Sequence, residues 1–185
     1  MKRFLLSVGF AAIAMTLTLV NSRAQGNSNK INFDLVPAST TIQTCLPNAS
    51  ARVTVFLKDE IRGVDTLDLK TEGLPPNTSF SVFLLEEPSS PFGAAQYIAD
   101  FTTNAAGRGS VRVNAVIEEA FSSTLVGTTR VRKELNHMGI WFSDPAADDF
   151  CFAPGTGPVT PFDGDGQAGV QVLSSRNFLP SAPLP

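Results

Sequence analysis

Aspartates in the C-terminal part of the chain are the residues whose type and spacing most clearly suit metal binding. Asp163 and Asp165 lie in the sequence Asp-Gly-Asp-Gly, which places two carboxylates on a tight turn. Calcium takes several oxygen ligands from a flexible loop, and carboxylates at this spacing supply them. Asp148 and Asp149, preceded by Asp144, complete the candidate ligand set. The sequence therefore allows a calcium site built from Asp148, Asp149, Asp163 and Asp165.

An ordinary turn is the competing interpretation of the same segment. Asp and Gly favour turns wherever they occur, so a solvated turn without an ion also explains the composition. An EF-hand is excluded, because Ser174 stands where the last ligand of such a loop, a glutamate, would be. We favour the turn, expect no cofactor, and keep calcium as the alternative.

His137 is the only histidine and hence the one candidate for an imidazole general base. A hydrolase would place it beside a serine nucleophile and an aspartate from the following loop. The Gly-x-Ser-x-Gly motif is absent, and zinc sites normally use several His and Cys ligands that this sequence does not offer. His137 alternates with Gly139 and Trp141 as in an ordinary strand. We expect no enzyme activity and keep a hydrolase using His137 as an alternative.

Phenylalanine is far more common than the other aromatic residues, with 14 Phe against one Trp and one Tyr. A phenyl ring has no polar group and belongs in a core. We therefore expect a core role, with an exposed binding patch as the alternative, for Phe83, Phe92, Phe142, Phe152 and Phe162. Few aromatic platforms remain for a sugar, so the acidic pairs at 86–87 and 118–119 are interpreted as surface charge and not as a glycosidase site.

The N-terminus has the order of a secretory signal. Lys2 and Arg3 precede an uncharged apolar run over residues 4–20, and a small-x-small exit ends at Ala24. This order predicts a signal peptide, residues 1–24, cleaved after Ala24. No later stretch is long and apolar enough to span a bilayer. The mature chain is therefore expected to be secreted, extracellular or periplasmic, with no membrane span after cleavage.

Charge and cysteine content narrow the classes of partner and of chemistry. Cleavage removes three of the 14 basic residues and none of the 17 acidic ones, which leaves a net charge of −6. That balance argues against a nucleic-acid partner, which requires a basic face. Cys45 and Cys151 are the only cysteines, and in an exported chain they predict one disulfide. Because no Cys-x-x-Cys pair occurs, we expect a structural bond and not a redox site.

Alternation of apolar and polar residues predicts strands separated by glycine and proline turns. The segments that show it are 31–35, 51–58, 67–70, 79–84 and 111–117. Further strands are predicted at 97–102 and 170–173, and the apolar, aromatic segment 138–142 is predicted to be a buried strand. Seven or eight such strands predict an all-β fold, a single antiparallel β-sandwich over residues 25–179. The Pro-rich tail, residues 180–185, is expected to be extended and exposed. Residues 118–126 suit either a short helix or a loop, and residues 143–168 are expected to form a long loop.

The segment 73–84, Gly-Leu-Pro-Pro-Asn-Thr-Ser-Phe-Ser-Val-Phe-Leu, resembles a corner of fibronectin type III and other immunoglobulin-like sandwiches. In that family, a Gly-Leu-x-Pro-x-Thr-x-Tyr-x-Val stretch crosses from one sheet to the other, and the Tyr hydroxyl bonds back to the backbone. Phe80 occupies the tyrosine position, so the resemblance implies an immunoglobulin-like crossing without that hydrogen bond. As a whole, the chain is similar to uncharacterised exported bacterial proteins.

These inferences favour a secreted, non-catalytic module for binding, adhesion or structure. Its partner would be a protein or a carbohydrate at the cell surface or in the medium. Loops at one end of the sandwich, including residues 143–168, would make the contact. The alternatives are a secreted hydrolase using His137 with a loop aspartate, and a calcium-stabilised extracellular module.

Overall fold

The computed structural model describes residues 29–58, 63–163, 166–176 and 183–184, without the side chains of residues 162 and 163. The predicted signal peptide and Asp165 lie outside these ranges. In chain order the strands are β1 (Lys30–Pro37), β2 (Ser50–Phe56), β3 (Asp65–Glu72), β4 (Ser79–Leu85), β5 (Ala95–Thr102), β6 (Gly109–Ala115), β7 (Phe121–Val126), β8 (Thr129–Glu134), β9 (His137–Phe142), β10 (Thr160–Asp163), β11 (Gly166–Ala168) and β12 (Gln171–Ser174). A short helix, α1 (Thr40–Cys45), follows β1, and a 3₁₀ helix (Pro145–Phe150) follows β9.

Eight of these strands form one strongly bent antiparallel sheet with the order β5-β4-β9-β12-β1-β2-β3-β6. It divides into two layers at β1. Residues 30–35 of this strand pair with β2 in the first layer, whereas Val36 and Pro37 pair with β12 in the second layer. The end strands β5 and β6 also contact each other, so the arrangement is nearly a closed barrel. The prediction of an all-β, antiparallel fold is confirmed, and the two layers are consistent with a β-sandwich.

The main core lies between the two layers and is formed by every second residue of the strands. Val53 and Val55 of β2 face Leu67 and Leu69 of the neighbouring β3, and all four are fully buried. Each such side chain contributes roughly 1.5–3 kcal/mol through burial of apolar surface. The second layer supplies Phe80, whose ring centroid lies 5.5 Å from that of Phe101 and 5.1 Å from that of Phe142.

The chain crosses between the layers at residues 73–78, within the segment where a crossing was expected. The strand before these residues, β3, belongs to the first layer, and the strand after them, β4, belongs to the second. Phe80 packs in the core. The hydroxyl of Thr103 donates a 2.6 Å hydrogen bond to the Pro75 carbonyl oxygen and accepts one of 3.0 Å from the Thr78 N–H. Gly73 has a φ of +70°, and an added Cβ would lie 2.3 Å from the Asn48 carbonyl oxygen. Thr103, the residue that follows β5, thus stabilises the corner without a tyrosine hydroxyl.

The predicted disulfide between Cys45 and Cys151 is confirmed, with its Cα atoms 5.5 Å apart. It joins the end of α1 to the residue that follows the 3₁₀ helix. The bond closes a loop with a sequence separation of 106. For a loop of that length, the chain-entropy model gives about 4–5 kcal/mol of stabilisation. The disulfide therefore anchors the first part of the C-terminal segment to the N-terminal part of the fold.

Three expectations about local structure need correction. Residues 118–126, expected to be a short helix or a loop, include β7, which pairs with β8 through the two-residue turn at Gly127 and Thr128. Residues 143–168, expected to be one long loop, contain the 3₁₀ helix and the β10–β11 hairpin. At Leu184, the expected exposure of the tail is wrong, because this side chain packs in the main core and is 3% exposed.

None of the helices in the described part of the chain has the length and apolar content needed to cross a bilayer.

Candidate functional site

A second apolar cluster lies on the outward face of the layer formed by β5, β4, β9 and β12. Along β4, Val82 and Leu84 point into the main core, whereas Phe83 and Leu85 point outward. Trp141 of β9 also points outward and is 2% exposed. The outward face of an antiparallel sandwich is commonly polar and solvated. Here it is apolar and covered, so both faces of β4 and β9 are buried.

Aromatic rings form the centre of this outer cluster. The Trp141 ring meets Phe83 edge-to-face with a centroid distance of 5.3 Å, and Phe92 with a distance of 5.0 Å. Phe83 in turn meets Tyr97 of β5 at 5.8 Å. Edge-to-face pairs at these distances are favourable beyond their buried area. Phe92 comes from the loop between β4 and β5, so this loop folds over the sheet and covers one side of Trp141.

Gly139 sets the position of the indole ring. It lies two residues before Trp141 on the same face of β9, and the benzene edge of the indole occupies the space above it. A Cβ at Gly139 would lie 2.5 Å from Cζ3 of Trp141 and 2.5 Å from Nε2 of Gln171. Both distances are far below normal contact, so any other residue at this position would displace the ring or the amide.

An open cavity of about 670 Å³ adjoins the outer cluster. Phe83, Leu85 and Trp141 line it from the sheet, whereas Phe92 and Val159 line it from the loops on its two sides. Cavities that bind small molecules typically have volumes of roughly 300–1,000 Å³ and mostly apolar walls. The described residues that line this one include no Asp, Glu, Lys, Arg or His. Its chemistry is thus that of a site for an uncharged, largely apolar molecule.

Few polar groups reach the cavity. Gln171 lines it and donates a hydrogen bond from Nε2 to the Pro88 carbonyl oxygen at 3.4 Å. Ser90, from the loop between β4 and β5, and Thr160, the first residue of β10, also line it. Trp141 Nε1 is buried and has no hydrogen-bond partner among the described residues. A buried donor without a partner costs about 1–3 kcal/mol.

Asp148 anchors the chain segment that forms the second wall. Its side chain is buried, and one carboxylate oxygen accepts a 3.0 Å hydrogen bond from the Val170 N–H. Gly157 and Gly169 pack so closely on the carboxylate that an added Cβ would lie 2.1 Å and 2.9 Å from its oxygens. Burial raises the pKa of the Asp148 carboxyl, and the Val170 N–H opposes that rise. Asp148 therefore holds Gly157, Gly169 and Val170 close to the 3₁₀ helix beside the cavity.

The aspartates proposed to bind calcium do not form a metal site within the described part of the chain. Asp148 points inward, while Asp149 accepts a hydrogen bond from the Gly155 N–H at 2.8 Å. Asp144 caps the 3₁₀ helix by accepting from the Ala146 N–H at 2.8 Å. The described residues contain no group of three or more His, Cys, Asp or Glu side chains that could hold a metal ion. The Asp163 side chain and Asp165 lie outside the described residues, so calcium binding stays a prediction.

His137 lies at the first residue of β9 and is 7% exposed. Its Nδ1 atom has no hydrogen-bond partner among the described residues. Burial lowers the pKa of the imidazole, and the charge of Glu87 opposes that change. Asp144 lies beyond the other end of β9. At about 3.3 Å per residue, this places it on the order of 20 Å from His137. The structure therefore separates His137 from Asp144, and the charge that acts on its imidazole comes from Glu87.

Comparison with protein-family models and with curated proteins finds no match for this chain.

Sequence reasoning placed the functional surface in residues 143–168 and missed the outward face of β4 and β9. One wall of the cavity does come from the expected segment, at residues 158–161. The sequence does carry a signal for this face, in the unbroken apolar runs Val82–Leu85 and Ile140–Phe142. Such runs are typical of strands that are buried on both faces, because these strands lack the alternation of apolar and polar residues. The expected core role is confirmed for Phe83 and Phe142, which are 4% and 0% exposed, and Phe83 also lines the cavity together with Phe92.

Proposed function

We propose that this protein is an exported, non-catalytic binding module of the immunoglobulin-like type, which takes an uncharged and largely apolar ligand in the outer cavity. The observation that carries the proposal is the cavity of about 670 Å³, lined by Trp141, Phe83 and Phe92 and by no charged side chain among the described residues. Concave apolar pockets with a few polar groups are the usual form of ligand sites.

The nature of the lining favours a small molecule with an aromatic or aliphatic body. Sugars are usually bound on exposed aromatic platforms with polar groups around them, whereas Trp141 is covered by Phe92 and Phe83. Binding rather than catalysis is favoured because His137 does not line the cavity. Export is supported by the N-terminal signal pattern and by the disulfide.

The test uses the neutral fluorophore N-phenyl-1-naphthylamine, which accepts excitation energy from tryptophan. Trp141 is the only tryptophan in the chain, so the quenched emission comes from this residue, and the variants below locate the bound probe. We expect saturable quenching with a matching rise in probe emission. Quenching that stays linear with probe concentration would contradict the proposal.

Two variants distinguish the cavity from other apolar surface. Val159 is 52% exposed and lines the cavity, whereas Val126 is 61% exposed and does not line it. Val159→Asp should weaken probe binding by about tenfold, which corresponds to about 1.4 kcal/mol. Val126→Asp should leave it unchanged. Equal effects of the two substitutions would show that the probe binds elsewhere.

A further inference from the structure

The β7–β8 hairpin stands apart from the eight-stranded sheet. Its two strands pair with each other, and no other described strand pairs with either of them. The hairpin is held at its base, where the Leu135 N–H donates to the Ala120 carbonyl oxygen and Lys133 pairs with Glu86. A single two-stranded ribbon is only marginally stable in water. Among the described residues, therefore, no strand occupies the outer edge of β7 or of β8, and both edges can accept another strand.

Large apolar side chains are concentrated on this hairpin. Phe121, Leu125, Val126 and Val131 are 51%, 59%, 61% and 36% exposed. These four account for nearly half of the large hydrophobic residues that are exposed in the described chain. An exposed, apolar edge strand is a template for pairing with another chain.

The two edges of the hairpin differ in charge. β8 contains Arg130, Arg132 and Lys133, and charged side chains of this kind protect an edge strand from pairing. β7 has the sequence Phe-Ser-Ser-Thr-Leu-Val, with no charged residue and no proline. Two copies of β8 side by side would bring like charges together, which destabilises a sheet. The β7 edge carries no such penalty, so it is the edge suited to pairing with a copy of itself.

The turn defines which backbone groups of β7 face outward. Gly127 has a φ of +64°, as the first central residue of a two-residue type II′ turn does. The pair that closes such a turn, Val126 and Thr129, is hydrogen-bonded, and hydrogen-bonded pairs then alternate along the ladder. Ser122, Thr124 and Val126 consequently bond to β8. Phe121, Ser123 and Leu125 direct their N–H and C=O groups to the free edge.

We propose that β7 pairs antiparallel with β7 of a second copy of this chain, with Ser123 opposite Ser123, to form a four-stranded sheet across a two-fold axis. In this register Phe121 of each copy lies opposite Leu125 of the other, and aromatic–aliphatic pairs of this kind stabilise a sheet. The small serines meet at the centre. Both side chains of each pair are more than half exposed in the single chain, so the pairing would bury apolar surface at two symmetric positions.

Charge is compatible with this dimer. Strand β8 has three basic residues against one acid, Glu134, in a mature chain whose net charge is −6. The two hairpins meet through β7, which carries no charged residue, so no charges are opposed in this pairing. In the dimer the two β8 strands are three strand spacings apart, about 14 Å, which exceeds the screening length of about 8 Å at physiological salt. Their arginines therefore repel each other only weakly.

Sedimentation equilibrium of the exported protein over a range of concentrations tests the proposal, and we expect a reversible dimer. Ser123→Pro removes an outward N–H without removing a β7–β8 hydrogen bond, so it should abolish the dimer. Arg130→Pro makes the same change on the outer edge of β8 and should leave the dimer intact. A monomer at all concentrations would overturn the proposal, and this is also the result expected if β7 pairs with a strand of another protein. A dimer that survives Ser123→Pro, or that both substitutions abolish, would overturn the choice of edge.

Cysteine substitution tests the register independently. Opposed residues in the hydrogen-bonded pair have Cα atoms about 5.5 Å apart, within the range that a disulfide can bridge. Ser123→Cys should therefore give a covalent dimer on a non-reducing gel. Thr124→Cys should stay monomeric there, since the two copies of Thr124 would be about 8 Å apart. Cross-linking of Thr124→Cys but not of Ser123→Cys would overturn the register.

Discussion

The carboxylate of Asp148 accepts a 3.0 Å hydrogen bond from the N–H of Val170, although 22 residues separate them in the chain. Asp148 lies on the 3₁₀ helix next to the disulfide, and Val170 lines the cavity. This bond therefore links the disulfide-tied part of the fold to one wall of the proposed binding site. It also buries a carboxylate whose ionised form is poorly solvated, which makes this link sensitive to pH.

The stability conferred by Asp148 is expected to increase in acid. Burial raises the pKa of its carboxyl above that in the unfolded chain, so the folded state holds the proton more tightly. The contribution therefore grows as the pH falls through the folded pKa, and ionisation at neutral pH reduces it. Asp148→Asn has no such proton. Its free energy of unfolding relative to the wild type should therefore be lower at mildly acidic pH than at neutral pH. Urea unfolding of both proteins at the two pH values measures this difference.

Asp149→Asn is the control for that experiment, because Asp149 is adjacent but less buried. Its stability relative to the wild type should change less with pH than that of Asp148→Asn. The interpretation fails if the two asparagine variants show the same pH dependence.

Gly139→Ala is expected to disturb the outer cluster. The new Cβ would lie 2.5 Å from the Trp141 ring, and overpacking of this kind typically costs about 1–3 kcal/mol. We expect a lower melting temperature and a shift of Trp141 emission to longer wavelength as the ring is displaced. Gly166→Ala is a matched control, since its Cβ would meet no atom within 4 Å among the described residues. Unchanged emission in Gly139→Ala would contradict the placement of the indole.

Thr103→Val is expected to destabilise the crossing between the layers. The substitution keeps the shape but leaves the Pro75 carbonyl and the Thr78 N–H without their partner. Loss of a buried partner costs about 1–3 kcal/mol, which equilibrium unfolding in urea can measure. Thr102→Val should cost far less, because its hydroxyl bonds to Ser79 at an exposed position where water can replace it. Equal losses in the two variants would mean that Thr103 has no special role at the corner.

Calcium is expected to leave the melting temperature unchanged. The Asp148 carboxylate is buried and bonded to the Val170 N–H, so it is not available as a calcium ligand in this conformation. A ligand at a hundredfold over its Kd would add about 2.7 kcal/mol, a shift of several degrees for a domain of this size. A rise of that size with calcium over a chelator would instead support the ion site at Asp163 and Asp165.

The amino-acid sequence by itself determined the features that depend on local pattern or on elimination. Alternation along residues 51–58 and 111–117 predicted strands, because a strand with one buried face shows burial at every second residue. With only two cysteines in the sequence, Cys45 and Cys151 could pair only with each other. The glycine and prolines at 73–76 marked the crossing because they prevent a strand from continuing.

Tertiary structure alone decided where the candidate site lies. The cavity combines Phe83, Phe92, Trp141 and Val159, which come from three separate parts of the chain, and sequence spacing does not show that they meet. The carboxylate of Asp148 could equally have faced solvent or an ion, and its inward direction follows from the 3₁₀ helix that the disulfide holds. Local pattern records which face of an element is buried, whereas the partner that buries it depends on the topology of the whole sheet.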